Sequence, residues 1–209
     1  VFLLTTQPYS IFMSECPYLD GVLIDKRLPR WNLFYLNNLK KTLAKYDFSK
    51  VFDLQNSSRT RFYKRFVIKN IEWSSTETTL EIGQKKKNFD KDPVLDRLEL
   101  QIKKSGIETE FTKNIDLSWA VENTSNLVKK YTNREYILLF PFCSPKLKNK
   151  KWPYFKELIQ KLKQEFKNRY SVLLAPGPNE IKDAIELNAK VVLENNEYVT
   201  LKTLVSLIH

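Results

Sequence analysis

The stretch that decides the fold is 136–180, which reads YILLFPFCSPKLKNKKWPYFKELIQKLKQEFKNRYSVLLAPGPNE. Its first five residues are apolar or aromatic and are closed by a proline, a pattern typical of a buried strand. A helix is predicted to begin at Trp152-Pro153, with proline at the first helical position, where its missing N–H costs nothing. A second strand is predicted at 169–175, before a turn into a helix from Glu180. The stretch therefore predicts a βαβ unit with parallel strands and a right-handed crossover.

Two loops of this unit fall at the carboxyl ends of its strands, where open α/β sheets bind ligands. The first loop carries Ser144 and four lysines within 146–151, just before a helix N-terminus, whose N–H groups and dipole favour phosphate. Glu180 follows the second loop, and its carboxylate can accept two hydrogen bonds from a ribose diol. A purely structural interpretation stays open, because lysine loops are usually solvated and a first-turn glutamate usually complements the helix dipole.

The first 55 residues alternate strand and helix, a pattern typical of a parallel doubly wound sheet. The predicted strands are 1–5, 21–25, 49–54, 67–73 and 191–193, and the predicted helices are 8–15, 31–46, 58–66, 93–105, 118–131, 180–188 and one from Thr200. Residues 74–91 are predicted to form a polar loop.

A second polar turn follows the third predicted strand and reads DLQNSSRT over 53–60. Asn56 and Arg59 suit sugar hydroxyls and a phosphate or carboxylate group. The alternative is that Asn56 or Ser57 simply caps the helix that follows, as such residues commonly do.

The net charge and the small numbers of glycine, cysteine and histidine limit the classes of function that the chain can have. The chain has 209 residues and a net charge of +11, and 146–169 alone hold nine basic residues against two acidic ones. This balance favours phosphorylated substrates, anionic membrane or nucleic acid as partners. With four glycines the chain has no dinucleotide or Walker A loop, and Cys16, Cys143 and a single histidine argue against a zinc site. Both thiols are predicted to be reduced and buried, as in a cytoplasmic protein.

The motifs of both regions resemble one family. The matching residues of the first stretch are Pro141, Ser144, Lys150, Trp152, Pro153, Gly177, Pro178 and Glu180. They resemble the nucleotide-sugar domain of the ADP-heptose:lipopolysaccharide heptosyltransferase family (glycosyltransferase family 9), and the turn 53–60 is similar to its acceptor domain in bacterial members. Phe140 and Phe142 stand where that family often has His and Gly.

The resemblance implies an α/β fold of GT-B type with two Rossmann-like parallel-sheet halves, both incomplete in this chain. An acceptor-side domain is expected at 1–106, a linker at 107–117 and a nucleotide-sugar domain at 118–209. The implied reaction is transfer of a sugar, heptose in this family, from an ADP-heptose-like donor to a lipid-anchored oligosaccharide, with catalysis in the cleft and with no metal or other cofactor.

The same resemblance implies residue roles. Ser144, Lys150 and Glu180 would bind the donor, whereas Asn56 and Arg59 would face the acceptor. The family's acidic base and its Asp-Thr-Gly-Pro-x-His segment are not in this sequence, so the base is expected upstream of Val1 and this chain alone is expected to be inactive. A cytoplasmic location is expected, with peripheral contact to the anionic membrane.

Three alternatives remain at the level of sequence. They are a GT-B enzyme with another donor, a noncatalytic relative, and a basic nucleic-acid-binding module. Nucleic acid is not the expected partner, because most aromatic residues lie on apolar faces and are not interleaved with surface lysine and arginine.

Overall fold

A computed structural model describes residues 1–167 and 169–209, apart from the side chains at positions 145, 146 and 148. The loop lysines at 146 and 148 therefore lie outside the described side chains. The chain divides into two compact units. The C-terminal unit comprises Val1, 11–20 and 117–209, and the N-terminal unit comprises 2–10 and 21–116.

Seven strands and ten α-helices follow one another in the described ranges. The strands are β1 (Phe2–Thr5), β2 (Gly21–Ile24), β3 (Lys50–Phe52), β4 (Glu72–Ser74), β5 (Glu135–Leu139), β6 (Tyr170–Leu174) and β7 (Lys190–Val191). The helices are α1 (Gln7–Ser14), α2 (Leu33–Leu43), α3 (Ser58–Phe66), α4 (Thr76–Thr79), α5 (Lys86–Phe89), α6 (Val94–Lys104), α7 (Ser125–Lys129), α8 (Phe155–Glu165), α9 (Ile181–Ile185) and α10 (Leu201–Ile208). Two 3₁₀ turns lie at Ser118–Ala120 and Pro145–Lys150.

All pairings between the named strands are parallel, so the α/β class predicted from the sequence is confirmed. In the N-terminal unit β1 pairs with β2 and β3 pairs with β4, as two separate pairs. In the C-terminal unit β6 lies between β5 and β7 in a three-stranded sheet. The GT-B arrangement of two halves stays a prediction.

The core of the N-terminal unit forms where α2 and α3 pack onto the strands. Leu39 and Leu43, one turn apart on α2, are buried together with Tyr35. Tyr63 from α3 and Trp73 from β4 complete the cluster. The polar hydroxyl groups of Tyr35 and Tyr63 thus enter an apolar core and require partners there.

The sheet of the C-terminal unit is covered on both faces. Val172 and Leu174 of β6 pack with Ile159 of α8, whereas Leu173 packs with Leu207 of α10 on the opposite face. The alternation follows from the two-residue repeat of a strand. A strand buried on both faces reads as a continuous apolar run, which is why β6 was predictable.

Four predicted elements were wrong in detail. The strand predicted at 67–73 is confined to β4, Glu72–Ser74. The helix predicted at 118–131 is a 3₁₀ turn followed by the short α7, because the Asn123 side chain accepts a hydrogen bond from Ser125 N–H (2.9 Å) and interrupts the helix. The loop predicted at 74–91 contains α4 and α5. Helix α8 begins at Phe155, so the proline at 153 precedes the helix, and the Trp152 ring packs edge-on against Phe155.

Asparagine supplies most of the left-handed turns. Of the seven non-glycine residues with positive φ in the described ranges, six are asparagines. Asn56 (φ 49°) and Asn179 (φ 67°) lie in the two polar loops singled out from the sequence. Asparagine tolerates this conformation better than most residues because its short side chain bonds locally.

Candidate functional site

The loops after β5 and β6 lie side by side in the C-terminal unit. Leu139 and Leu174, the last residues of the two strands, are paired in register, so both loops leave the sheet at the same edge. Lys151 Nζ lies 3.9 Å from a carboxylate oxygen of Asp183 on α9, which joins the two loop regions. The same ammonium lies 5.2 Å from the centre of the Phe142 ring.

The Glu180 side chain is held at the start of α9. Its Oε2 accepts a hydrogen bond from Gly177 N–H (2.7 Å), and Glu180 N–H donates to Gly177 C=O (3.2 Å). A Cβ added at Gly177 would lie 3.0 Å from Oε2, so the missing side chain of glycine allows this close approach. A carboxylate offers about four lone-pair sites, so Glu180 retains capacity for a ligand diol.

Ser144 and Lys150 lie at the two ends of the short 3₁₀ segment before α8, and both are exposed. The Ser144 C=O accepts a hydrogen bond from Leu147 N–H (2.8 Å), and the Cys143 thiol donates to Leu147 C=O (3.2 Å). The backbone of the loop is thereby ordered, while the Ser144 and Lys150 side chains face solvent. Cys143 is only partly buried, unlike Cys16, so the prediction that both thiols are buried was wrong for Cys143.

Phe142 occupies the position where the resembling family often has glycine. Its ring packs against the cluster formed by Ile159 and Val172 at the start of the sheet core. The aromatic side chain therefore turns inward and takes part in packing. Phe140, by contrast, is about half exposed.

The polar loop after β3 in the N-terminal unit is fixed by side-chain amides. Asn56 Oδ1 accepts from Thr76 N–H (2.6 Å), and Asn56 Nδ2 donates to Gln101 Oε1 (2.9 Å). Gln101, 2% exposed on α6, donates through Nε2 to the C=O groups of Asp53 and Ser74 (3.1 Å each). Asn56 and Gln101 thus connect the ends of β3 and β4 to α6.

The cap of α3 answers one question left open by the sequence. Ser57 is the N-cap, and its Oγ accepts from Thr60 N–H (3.2 Å) while Thr60 Oγ1 accepts from Ser57 N–H (2.9 Å). This reciprocal arrangement satisfies two backbone donors at the start of the helix.

Arg59 belongs to a buried network at the end of β2. One guanidinium nitrogen donates to Tyr63 Oη and to Leu28 C=O (3.0 Å each). Tyr63 donates to one oxygen of the Asp25 carboxylate (2.9 Å), and Tyr35 donates to the other. Asp25 is 5% exposed, so its negative charge is compensated inside the unit by two hydroxyl donors and by the nearby Arg59.

The environment of this network shifts three pKa values. Burial, reinforced by the bond to Asp25, raises the pKa of Tyr35 above its ordinary value of 10.0. Burial also raises the pKa of Tyr63, and the hydrogen bond to Tyr63 raises the pKa of Arg59. Both tyrosines therefore stay protonated and act as donors to Asp25.

Several of these residues were missed from the sequence. Asp25 has a readable signal, since it directly follows an apolar strand run at the functional edge of a sheet. Lys151 was predicted only as one of the loop lysines, and its partner Asp183 has no readable signal, because nothing in the order of residues selects it among the neighbouring charges. Gln101 lies beside the apolar face of α6, three residues after Leu98, but nothing in the sequence shows that its amide meets the ends of two strands.

The described ranges, 1–167 and 169–209, contain neither a metal-binding cluster nor a membrane-spanning helix. Within these ranges no three His, Cys, Asp or Glu side chains group as a metal site. In the same ranges, the helices are too short or too polar to cross a bilayer.

Comparison with protein families matches residues 36–205 to glycosyltransferase family 9 (heptosyltransferase). The match covers most of the chain and includes every residue predicted to bind donor or acceptor, and the protein belongs to this family. The family carries glycosyltransferase activity, with a nucleotide sugar as donor and an oligosaccharide as acceptor. No curated protein and no solved structure matched the chain.

Proposed function

We propose that this protein transfers a sugar, specifically heptose, from an ADP-heptose-like donor to an acceptor of the lipopolysaccharide-core type. Family membership supports the transfer reaction itself. The choice of heptose and of the acceptor follows from the motifs shared with the heptosyltransferases.

The observation that carries the proposal is the meeting of two loops at one sheet edge in the C-terminal unit. Lys150 and Ser144 come from the loop after β5, and Glu180 comes from the loop after β6. The contact between Lys151 and Asp183 supports a shared ligand-binding surface on these loops. On this surface Lys150 and Ser144 would hold the diphosphate, and Glu180 the ribose.

The chemistry needs a stabilised leaving group. An acceptor hydroxyl oxygen bonds to the anomeric carbon, the bond from that carbon to the nucleoside diphosphate breaks, and the hydroxyl proton passes to a base. The Lys150 ammonium and the N-terminus of the eleven-residue α8 would neutralise the departing diphosphate. These groups supply the positive charge that a metal ion supplies in other transferases.

The acceptor is proposed to lie against the loops after β2 and β3 of the N-terminal unit. Asn56 uses one N–H and one oxygen lone pair within the unit, and Arg59 uses one of its guanidinium nitrogens. Each side chain therefore keeps donors for acceptor hydroxyl or carboxylate groups, while its position is fixed by the bonds already made.

Donor binding tests this proposal directly. The chain is titrated with ADP, ADP-sugars and the corresponding UDP and GDP compounds, with thermal shift and calorimetry as readouts. A ligand at one hundred times its Kd should stabilise the folded chain by about 2.7 kcal/mol. Other nucleotides shifting the chain in place of the ADP series would point to a GT-B enzyme with another donor.

Matched variants locate the site. Lys150→Gln and Glu180→Gln should each weaken the binding of the preferred nucleotide about tenfold, since each loses a charge-assisted contact. Lys161→Gln in the middle of α8 and Glu186→Gln beyond α9 change the same charges at exposed positions outside these loops and should bind normally. Absence of any nucleotide binding, or unchanged affinity in both loop variants, would refute the proposal.

A further inference from the structure

Three large apolar side chains are exposed where the chain enters α2. Trp31 is 80%, Leu33 75% and Phe34 77% exposed. We call these three residues the Trp31 patch. Single exposed apolar residues are common, but three within four positions concentrate apolar surface in one short segment.

The segment that displays the patch is pinned to the unit. Asn32 Oδ1 caps α2 by accepting from Tyr35 N–H (2.9 Å), and Asn32 N–H donates to Pro29 C=O (3.0 Å). From α3, Ser58 Oγ accepts a hydrogen bond from Arg30 (2.7 Å). The apolar side chains are thus held outward by an ordered backbone and are not the tip of a loose loop.

The charged residues of the segment that carries the patch are all basic. Residues 26–34 read KRLPRWNLF and contain Lys26, Arg27 and Arg30 with no carboxylate. Aromatic and aliphatic side chains set among cations are the combination that binds the headgroup region of anionic bilayers, where tryptophan is enriched.

We propose that the Trp31 patch docks on the surface of an anionic phospholipid bilayer. Trp31, Leu33 and Phe34 enter the boundary between headgroups and acyl chains, while the three cations contact lipid phosphates. Charge favours this occupant over a second copy of the chain, because a symmetric pair of patches would bring like charges together.

The docking surface lies beside the acceptor loop. Arg59 bonds to the C=O of Leu28 in the segment that carries the patch, and Arg30 bonds to Ser58 next to Arg59. Docking itself rests on exposure and charge. Its use, which is to present Asn56 and Arg59 to a lipid-anchored acceptor, rests on the proposed function.

Vesicle flotation of the full chain tests the docking. The chain should float with vesicles that contain phosphatidylglycerol and stay unbound with pure phosphatidylcholine. Trp31→Ser/Phe34→Ser should weaken binding at least about tenfold, because two large apolar side chains no longer leave water. Lys26→Gln should weaken it about fivefold and make it less salt-dependent.

A matched control distinguishes binding through this patch from nonspecific binding of exposed apolar side chains to vesicles. Phe111 is 73% exposed but is preceded by Glu108 and Glu110, so Phe111→Ser should bind vesicles like the unaltered chain. Trp31→Phe keeps the apolar surface and should bind, yet it should lose the fluorescence quenching that brominated lipids cause in the unaltered chain. This second measurement does not depend on the folding of the double variant.

Three results would overturn the proposal. They are unchanged flotation of Trp31→Ser/Phe34→Ser, equal binding to neutral vesicles, and a dimer in sedimentation that the same double variant converts to monomer. None of these assays involves a nucleotide sugar. A chain that docks but binds no donor would therefore refute the proposed function alone, and a chain that binds donor but not vesicles would refute the docking alone.

Discussion

The two polar loop regions of this protein use their side chains in opposite ways. After β3, the candidate residues Asn56 and Arg59 bond to groups of their own unit, including Gln101 and Tyr63. After β5, Ser144 and Lys150 extend into solvent, and the ion pair at Lys151 is half exposed. One region is organised before any ligand arrives, whereas the other offers charge at an open surface.

The difference has an energetic meaning. A buried polar network is costly to damage, because each lost partner leaves a desolvated group without a hydrogen bond. An exposed cation can be removed with little effect on folding, so its role shows in ligand affinity. Substitutions in the network of the N-terminal unit should therefore lower the stability of the protein. Substitutions in the loops of the C-terminal unit should lower its affinity for ligand.

The largest expected loss of stability follows from Gln101→Leu. The substitution keeps the side-chain volume but removes the Gln101 partner of the Asp53 C=O and of Asn56 Nδ2, and it removes one of the two donors to the Ser74 C=O. We expect about 2–4 kcal/mol less stability in urea unfolding followed by circular dichroism. Gln160→Leu, at an exposed position of α8, should change stability by about 0.5 kcal/mol or less. Equal effects of the two variants would show that the network contributes nothing.

Tyr35→Phe should have the next largest effect, because the Asp25 carboxylate loses one of two hydroxyl donors in a buried site. We expect about 2 kcal/mol at neutral pH. Exposed Tyr9→Phe is the control.

The same variant should change the alkaline limit of stability. The pKa of Tyr35 is raised above 10.0 on folding, so the stability linked to its proton is complete below pH 10.0 and is lost as the pH rises above it. The unaltered chain should lose stability above pH 10.0 more steeply than Tyr35→Phe. Parallel curves for the two chains would contradict the assignment.

Gly177→Ala should cost less, about 1 kcal/mol, because the added Cβ displaces the Glu180 carboxylate from Gly177 N–H. A double-mutant cycle with Glu180→Ala checks the cause. Once the carboxylate is gone, the alanine at 177 should have little further effect on stability. Simple additivity of the two substitutions would mean that the contact is not responsible.

Lys151→Gln should have the smallest effect, about 0.5 kcal/mol or less, because the ion pair with Asp183 is exposed to water on both sides. Even this difference should vanish in 1 M salt. A loss as large as that of Gln101→Leu would remove the contrast between the two regions, since the β5 loop would then be locked as firmly as the β3 loop.

What could be predicted from the sequence was local in the chain. The apolar run of β6, the Ser57 cap of α3 and the start of α10 at Thr200 each depend on neighbours within a few residues. The five candidate binding residues also lie in the segments that follow strand ends, although Arg59 belongs to the first turn of α3. Their roles as donor and acceptor contacts stay predictions.

The rest depends on contacts between distant residues. Gln101 reaches the Asp53 carbonyl 48 residues earlier, and Tyr63 reaches Asp25 across 38 residues. No periodicity encodes which buried polar group will meet which. The wrong prediction of a continuous helix at 118–131 has a local cause. The hydrogen bond from Ser125 N–H to the Asn123 side chain interrupts the helix despite the helical pattern.

Most left-handed turns of this chain are formed by asparagine, whose backbone has less conformational freedom than that of glycine. Asn179 adopts the left-handed conformation in the turn immediately before Glu180. Glu180 is therefore presented to a ligand by a backbone of restricted flexibility. The entropic cost of ordering this turn is incurred when the chain folds, so ligand binding does not incur it again. Replacing Asn179 by glycine would thus make the backbone of the turn before Glu180 more flexible.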